Sequence, residues 1–496
     1  MNSNGKKVVI IGGGIAGLCA AVYAQKCGYQ AEVLEMNDIA GGLAMSWRRG
    51  GYTFETCLHW FYGADPKGAM HAQWAELFDV DRLEFVDLPE LAHMESEDGK
   101  SLSIPTDPDR LEKELLTHAR QDAEAILQLA KDIRRLSKFQ MPDPGKGWMG
   151  NLSVLLRDLP ILPRVKALSQ IRTREYGGQF THPLLRAFFV EGMSGSLSAI
   201  AILFSMAWMS SGDAKYAVGG AQAIIRLIEE NLIRMGGKIR YKARVEKILV
   251  EDGAAVGVEL KGGEQVRGDW VISAADGHAT IYEMLGGKYV GEPIEHFYRT
   301  QGLFPSYLQV SFGVALDLSN EPAAVTRVLK PKIQVDPETW LDQLSFRFFH
   351  FDRSFAPAGK TAVTCFLPTR NTPYWVQLRN ESPEKYAAEK QRVARMVAAV
   401  LEKRSPGFHA AIETFDVSTP ASIIRYTGNW KGSMEGWLPT PESGFKPLPN
   451  TLPGLRRFKM VGQWISPGGG LPAGPMTARP AIQAICKEDR VPFRVR

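Results

Sequence analysis

The stretch KVVIIGGGIAGLCAAVYAQKCGYQAEVLEM, Lys7 to Met36, decides the fold. An apolar run ending in glycine, a segment opening on small residues and a second apolar run read as strand, turn, helix, strand. Gly12, Gly14 and Gly17 make the pattern G-x-G-x-x-G. In that setting the first glycine permits the tight turn, the second lets a pyrophosphate approach the backbone, and the third packs helix against sheet. The positive end of the helix then faces phosphate. Glu35 closes the second strand eighteen residues after Gly17, where a carboxylate can accept both ribose hydroxyls. An ordinary glycine turn would explain the glycines but not Glu35.

Working outward, residues 210–287 return to the same α/β pattern. AQAIIRLIEENLIRMGGKIRYKARVEKILVEDGAAVGVEL reads as a helix, a stop at Gly236 and Gly237 and three strands, and DWVISAAD adds a buried strand. The closing RRFKMVGQWISPGGGLPAGPMTARPAIQAICKE restores strand, glycine-rich turn and helix. The expectation is an α/β protein whose Rossmann-like dinucleotide domain is discontinuous, assembled from 1–90, 210–287 and 455–496. Residues 91–209 and 288–454 then form a second, mixed sheet-and-helix substrate domain, with aromatic-rich strands and one long helix, PEKYAAEKQRVARMVAAVLEKR. Residues 107–138 have helical spacing with a solvated, charged face. Residues 144–178 mix Pro, Gly and apolar positions with Arg157, Arg164, Lys166, Arg172 and Arg174. That composition suits a lid or a membrane-touching segment, extended to 144–210, or a plain surface excursion. Gly192 to Ser210 is nineteen residues without a charge, and its glycines and serines favour a buried helix over a membrane span.

The 59 Lys+Arg against 54 Asp+Glu leave +5, too diffuse to indicate nucleic acid. The five cysteines form no CxxC pair and are odd in number, so neither a zinc site nor a disulfide framework is expected, and no histidine spacing suggests a metal. A reducing, cytoplasmic setting follows, with peripheral contact at the inner membrane face. The N-terminal residues pass directly into the glycine turn, and export is not expected.

The fingerprint alone leaves FAD and NAD open. Gly41 and Gly42, then RRGGYTFET at 48–56, resemble the extended FAD signature of glutathione-reductase-like and amine-oxidase-like flavoproteins. A second G-x-G-x-x-G after a strand does not occur, which argues against a tightly held nicotinamide and leaves electrons to a diffusible acceptor such as oxygen or a quinone. Four blocks then narrow the resemblance to the phytoene-desaturase-like family of carotenoid desaturases, carotenoid isomerases and retinol saturases. They are GGGIAGLCAA with GGLAMSWRRGGYTFETCLHWFYG, KYAVGGAQAIIRLIEENLIRMGGKIRYKARVEKI, FDRSFAPAGKTAVTCFLPT with PGFHAAIETFDVSTPASIIRYTGNWKGSMEGW, and MVGQWISPGGGLPAGPM. Leu43, Cys57 and the Gln463-Trp464-Ile465-Ser466 run depart from the family pattern. The resemblance implies an FAD held by Gly12, Gly14, Ile15, Ala16, Gly17, Glu35, Met36, Gly42, Leu43, Val245, Gly462, Gly470 and Leu471.

It also implies oxidation, saturation or isomerisation of carbon–carbon bonds in a polyene, isoprenoid or similar hydrophobic small molecule. A flavin amine oxidase and a non-catalytic flavin-binding protein are the alternatives. His59 is the catalytic candidate, as a proton donor or a neutral hydrogen-bonding group near the flavin, with a packed histidine as the structural alternative. Glu55 is either functional or a loop anchor. Phe188, Phe189, the Phe346–His350 run, Tyr426 and Trp430 line an apolar pocket or pack the core.

Overall fold

The computed structural model describes residues 5–56, 58–139, 152–190 and 193–495. Cys57, residues 140–151 and residues 191–192, which include parts of the expected lid and of the uncharged run, lie outside the described residues. β1 (Lys7–Ile11), α1 (Ile15–Lys26) and β2 (Gln30–Leu34) form the expected βαβ unit. β1 and β2 pair in parallel, as a helical crossover requires.

Three distant segments complete that sheet. Lys238–Arg240 pairs with β2, Trp270–Ser273 with β1, and Phe458–Met460 with Trp270–Ser273, all in parallel. Parallel strands are covered on both faces and read as continuous apolar runs. Val8, Val9, Ile10, Val33, Val271 and Ile272 are fully buried. α1 lies between this sheet and the helix Ala473–Asp489, and its residues Ala16 to Ala24 are all buried. The three-stranded antiparallel sheet Val245–Glu251, Ala254–Leu260, Gln265–Arg267 packs against it.

The second body is a seven-stranded sheet in the order Ile412–Ser418, Ser306–Val314, Thr361–Thr369, Thr339–Phe348, Ala324–Asp336, Glu90–Ser96, Ser101–Pro105. The pairing is antiparallel except between Ala324–Asp336 and Glu90–Ser96. All nine residues of Ser306–Val314 are buried, because both faces are covered. The helix Pro383–Arg404 sits on one side through Val393, Val397 and Leu401. On the other, Gly313 faces the Tyr52 ring, and Gln309 Nε2 donates to the Glu55 carbonyl at 2.9 Å. This strand therefore joins the two bodies.

A helical layer covers the remaining side. The charged 107–138 segment is a pair, Pro108–His118 and Ala123–Leu136. Asp107 caps the first by accepting from the N–H of Asp109 and Arg110, and Pro108 sits where a missing N–H costs nothing. The uncharged run resolves into the twelve-residue helix Ala199–Ser210. No helix among the described residues is long and apolar enough to cross a membrane. Ile200, Leu203, Met206 and Ala207 face the helical core, while Ala201, Ile202, Phe204, Ser205 and Trp208 face a cavity.

Candidate functional site

A cavity of about 980 Å³ runs from the βαβ turn to the joint between the two bodies. At the turn, Gly12 (φ +96) donates to the Leu34 carbonyl at 2.9 Å. Gly14 caps α1 without any side-chain acceptor, so the first N–H groups of the helix stay open to an anion. Gly17 lies beneath rather than along the cavity. A Cβ there would stand 2.0 Å from the Gly12 carbonyl oxygen, so only glycine lets α1 approach the turn.

Glu35 is 4% exposed and accepts from the Gly13 N–H at 2.7 Å and from the backbone and side-chain nitrogens of Asn37, both at 2.8 Å. These bonds hold its carboxylate at the end of β2, on the cavity wall. Val245 is two residues past Ala243, whose N–H donates to the Glu35 carbonyl at 2.8 Å. Gly41 bonds back to the Gly13 carbonyl at 2.9 Å, bringing Gly42 and Leu43 to the opposite wall. From the C-terminal segment, Gly462 donates to Thr477 Oγ1 at 2.8 Å and faces Ala16. The turn Gly468–Gly470, with φ of +94, +52 and +73, leads into the helix that flanks α1. Met36, Gly470 and Leu471 also line the cavity. The expected cofactor residues thus converge on one wall system, Gly17 excepted. The open helix terminus, the unobstructed glycines and the carboxylate of Glu35 fit the phosphates and ribose of a dinucleotide.

Beyond the glycines the walls turn apolar. Trp60, Tyr62, Phe204, Trp208, Tyr307, Phe366 and Phe445 line this end, and Tyr62 stacks on Trp208 with centroids 4.0 Å apart. His59 is here, its ring 5.6 Å from that of Phe366. Burial, aided by the nearby Arg347 guanidinium, lowers its pKa to about 3. The ring is therefore neutral at physiological pH, which removes the imidazolium proton donor and leaves a neutral hydrogen-bonding group or a packed histidine. Arg347, buried and itself lowered to about 10 by desolvation, donates to the His59 carbonyl at 3.0 Å. Glu55 accepts from the Leu58 N–H at 3.0 Å and anchors the loop that presents His59.

Two carboxyls at the cavity were not singled out in the sequence. Asp276 is pushed up to about 7 by burial, opposed by bonds from the N–H groups of Ala279 and Trp430. Its signal was its place just past the strand beside β1, at the carboxyl edge where such sheets bind ligands. Glu435 is pushed up to about 7 by burial alone. Its only signal was an acid among glycine and tryptophan in GSMEGW. The aromatic runs divide: Phe189, Phe346 and Phe348 pack in cores, while Tyr426 lines the cavity.

Residues 15–281 match the family described as flavin containing amine oxidoreductase. The chain belongs to that family. As a flavin containing amine oxidoreductase it is an FAD-dependent oxidoreductase, and the fold agrees. Solved structures of a redesigned putrescine oxidase (TM-score 0.62, 15% identity, 97% of this chain and 99% of that one) and of cyclohexylamine oxidase from Brevibacterium oxydans (TM-score 0.60, 15% identity, 98% and 99%) share it. Among curated relatives, the chloroplastic prolycopene isomerase of Arabidopsis thaliana is 26% identical over 93% of this chain and 80% of its own length. The 4,4'-diapophytoene desaturase (4,4'-diapolycopene-forming) of Methylomonas sp is 25% identical over 99% and 97%.

Proposed function

We propose that the enzyme desaturates, saturates or isomerises carbon–carbon double bonds in a polyene lipid of carotenoid or retinoid type. The observation that carries this reading is the continuity between the glycine-lined dinucleotide cleft and an aromatic chamber within one cavity. Such a chamber gains from burying a long hydrocarbon and orients it by shape. Relatives named for carotenoid isomerisation and desaturation, aligned over nearly the whole chain, support it over amine oxidation.

In this reading, FAD is held by Gly12, Gly14, Ile15, Ala16, Glu35, Met36, Gly42, Leu43, Val245, Gly462, Gly470 and Leu471, with Gly17 setting the turn. Bound FAD supplies hydride transfer at carbon. The N–H groups at the start of α1 neutralise the phosphates, and Glu35 fixes the ribose. The aromatic walls exclude water and align the polyene. Neutral His59 supplies a hydrogen-bonding edge without adding charge to an apolar chamber. Residues 1–90, 210–287 and 455–496 act as the cofactor domain and the rest as the substrate domain. When turnover is oxidative, electrons leave to oxygen or a quinone.

The substrate arrives from a membrane surface on the cytoplasmic side. Leu152, Leu156, Leu159 and Leu162 are 44, 63, 60 and 41% exposed on the consecutive helical turns 152–169. That segment is tied to the cavity-lining helix through Ser198, whose hydroxyl donates to the Ser169 carbonyl at 2.9 Å. A greasy face thus leads toward the chamber. The test is chromatography of products after the FAD-loaded enzyme meets lycopene isomers and phytoene in one set of reactions and putrescine and benzylamine in another. A changed polyene supports the proposal. Peroxide released with an amine, and no changed polyene, overturns it.

A further inference from the structure

Glu435 lines the cavity beside the triple-glycine turn. Its two neighbours are pinned to the residues just before the strand that joins the bodies: the Met434 N–H donates to the Pro305 carbonyl at 3.4 Å, and Phe304 N–H donates to the Gly436 carbonyl at 3.0 Å. Three residues past Phe304, Tyr307 packs on Phe366, the ring that also touches His59. On its other side Glu435 meets the triple-glycine turn. A Cβ on Gly469 would stand 2.5 Å from its carbonyl oxygen, and one on Gly470 would stand 3.9 Å from its Oε1. The side chain is half-buried and lines the cavity.

The carboxyl has no hydrogen-bond or ion-pair partner among the described residues, in contrast with Glu35 and Asp276, whose oxygens are taken by backbone N–H groups. The other titratable side chains on the apolar walls are His59, Tyr62 and Tyr307. His59 is neutral, and burial raises the Tyr62 phenol. A carboxyl left without partners beside apolar walls holds its proton into the neutral range, where both its acid and its base form are accessible during turnover.

We propose that Glu435 is the acid–base residue of this enzyme, delivering a proton to a carbon of the bound polyene and removing the hydrogen that carbon first carried. The proposal rests on the polyene reading above. In the step, the Glu435 carboxylic acid gives its proton to one carbon of a double bond. The π electron pair becomes the new C–H bond, and the positive charge left on the adjacent carbon spreads along the remaining conjugated chain. The former double bond is now single and rotates. The carboxylate then removes as a proton the hydrogen that this carbon originally carried, which restores the double bond and the acid and leaves the delivered proton on the chain. Atoms and electrons balance with no oxidant, so the step is an isomerisation. The aromatic rings of Trp60, Tyr62 and Phe366 line the cavity around the chain, and π systems of this kind stabilise a nearby cation.

The test uses the FAD-loaded enzyme, its Glu435→Gln variant and its Glu435→Asp variant. Infrared difference spectra between pH 5 and pH 9 should show a protonated-carboxyl band in the wild type that is missing from Glu435→Gln. An unchanged band in the variant overturns the proposal. With cis-lycopene in detergent micelles made up in D2O, wild type should return isomerised lycopene carrying deuterium at a chain carbon. Glu435→Gln should lose the isomerisation and the label together by about 100-fold, with visible flavin absorbance retained. Glu435→Asp, which keeps the acid, should recover part of both, and it replaces Glu435→Gln if that variant fails to retain FAD. Equal rates and labels in the variants, or wild-type isomerisation without label, would sink the role of Glu435. FAD bound with no polyene converted by any form would instead overturn the polyene reading.

Discussion

Gly17→Ala isolates the close approach on which the cofactor turn depends. The new methyl carbon would lie 2.0 Å from the Gly12 carbonyl oxygen and 3.2 Å from Ala274 Cβ. A relaxed carbon–oxygen contact lies near ~3.3 Å, so α1 must retreat by about 1.3 Å. Retreat is blocked behind it. A Cβ on Gly474 would already be 2.9 Å from Ile15 Cγ1, so the helix Ala473–Asp489 is in contact with α1. Overpacking of this kind costs about 1–3 kcal/mol, and a clash of backbone against a full α1 interface belongs at the upper end. Displacing the helix terminus from the phosphates should weaken FAD binding by about 100-fold, equivalent to about 2.8 kcal/mol. Gly14→Ala is the control. Its Cβ would meet nothing nearer than the Gly41 carbonyl oxygen at 3.9 Å, so the FAD-free chain should unfold within about 0.5 kcal/mol of wild type, while the methyl obstructs the phosphate approach. Urea unfolding of the FAD-free chain and fluorescence titration with FAD read the two effects separately. A Gly17→Ala chain that unfolds like wild type and binds FAD normally would refute the packing argument.

Three further outcomes follow from the site. Glu35→Ala leaves the buried Gly13 N–H without its 2.7 Å acceptor, so the FAD-free chain should lose about 1–3 kcal/mol and FAD affinity should fall, both measurable in the same titrations. His59 is held at about 3 in the fold against 6.5 in the unfolded chain. The unfolded state therefore binds the extra proton as pH falls from 6.5 toward 3, and stability declines across that window. His59→Gln should flatten this part of the stability profile, as followed by urea midpoints at each pH. Leu156→Glu with Leu159→Glu removes two exposed leucines, each worth about 1.5–3 kcal/mol on burial in lipid. The double variant should stay at the bottom of a vesicle flotation gradient in which wild type rises, with its FAD spectrum unchanged.

The cofactor end was legible because its information is local. Gly12, Gly14, Gly17 and Glu35 lie within one βαβ unit, and the spacing of a strand, a turn and a helix leaves the glycines little choice of position. Even the separate task of Gly17, packing rather than contact, was readable from its place in the helix. Gly462 and Gly470 came only through resemblance, since the strand, turn and helix of their segment place it in the dinucleotide domain without showing which of its glycines meet the cofactor. The substrate end was less legible. Phe189 and Phe346 carry the same hydrophobic signal as Phe366, yet the first two fill cores and the third lines the cavity, a distinction set by which face of each element meets a neighbour. Glu435 escaped notice because its meaning depends on long-range apposition to the 468–470 turn and to Phe304. His59 was singled out and lies on the cavity wall, but the desolvation and the Arg347 charge that keep it neutral are set by residues far away in the chain.

The account rests most directly on FAD and polyene sharing one cavity. The decisive measurement is the visible spectrum of the FAD-loaded enzyme, recorded anaerobically as lycopene isomers and phytoene are added in micelles. The account predicts one FAD per chain and, with at least one polyene, bleaching of the flavin bands or a saturable shift in them that Glu35→Ala abolishes through loss of the cofactor. Flavin bands indifferent to every polyene but bleached by putrescine or benzylamine would contradict it, as would a chain that takes up no FAD.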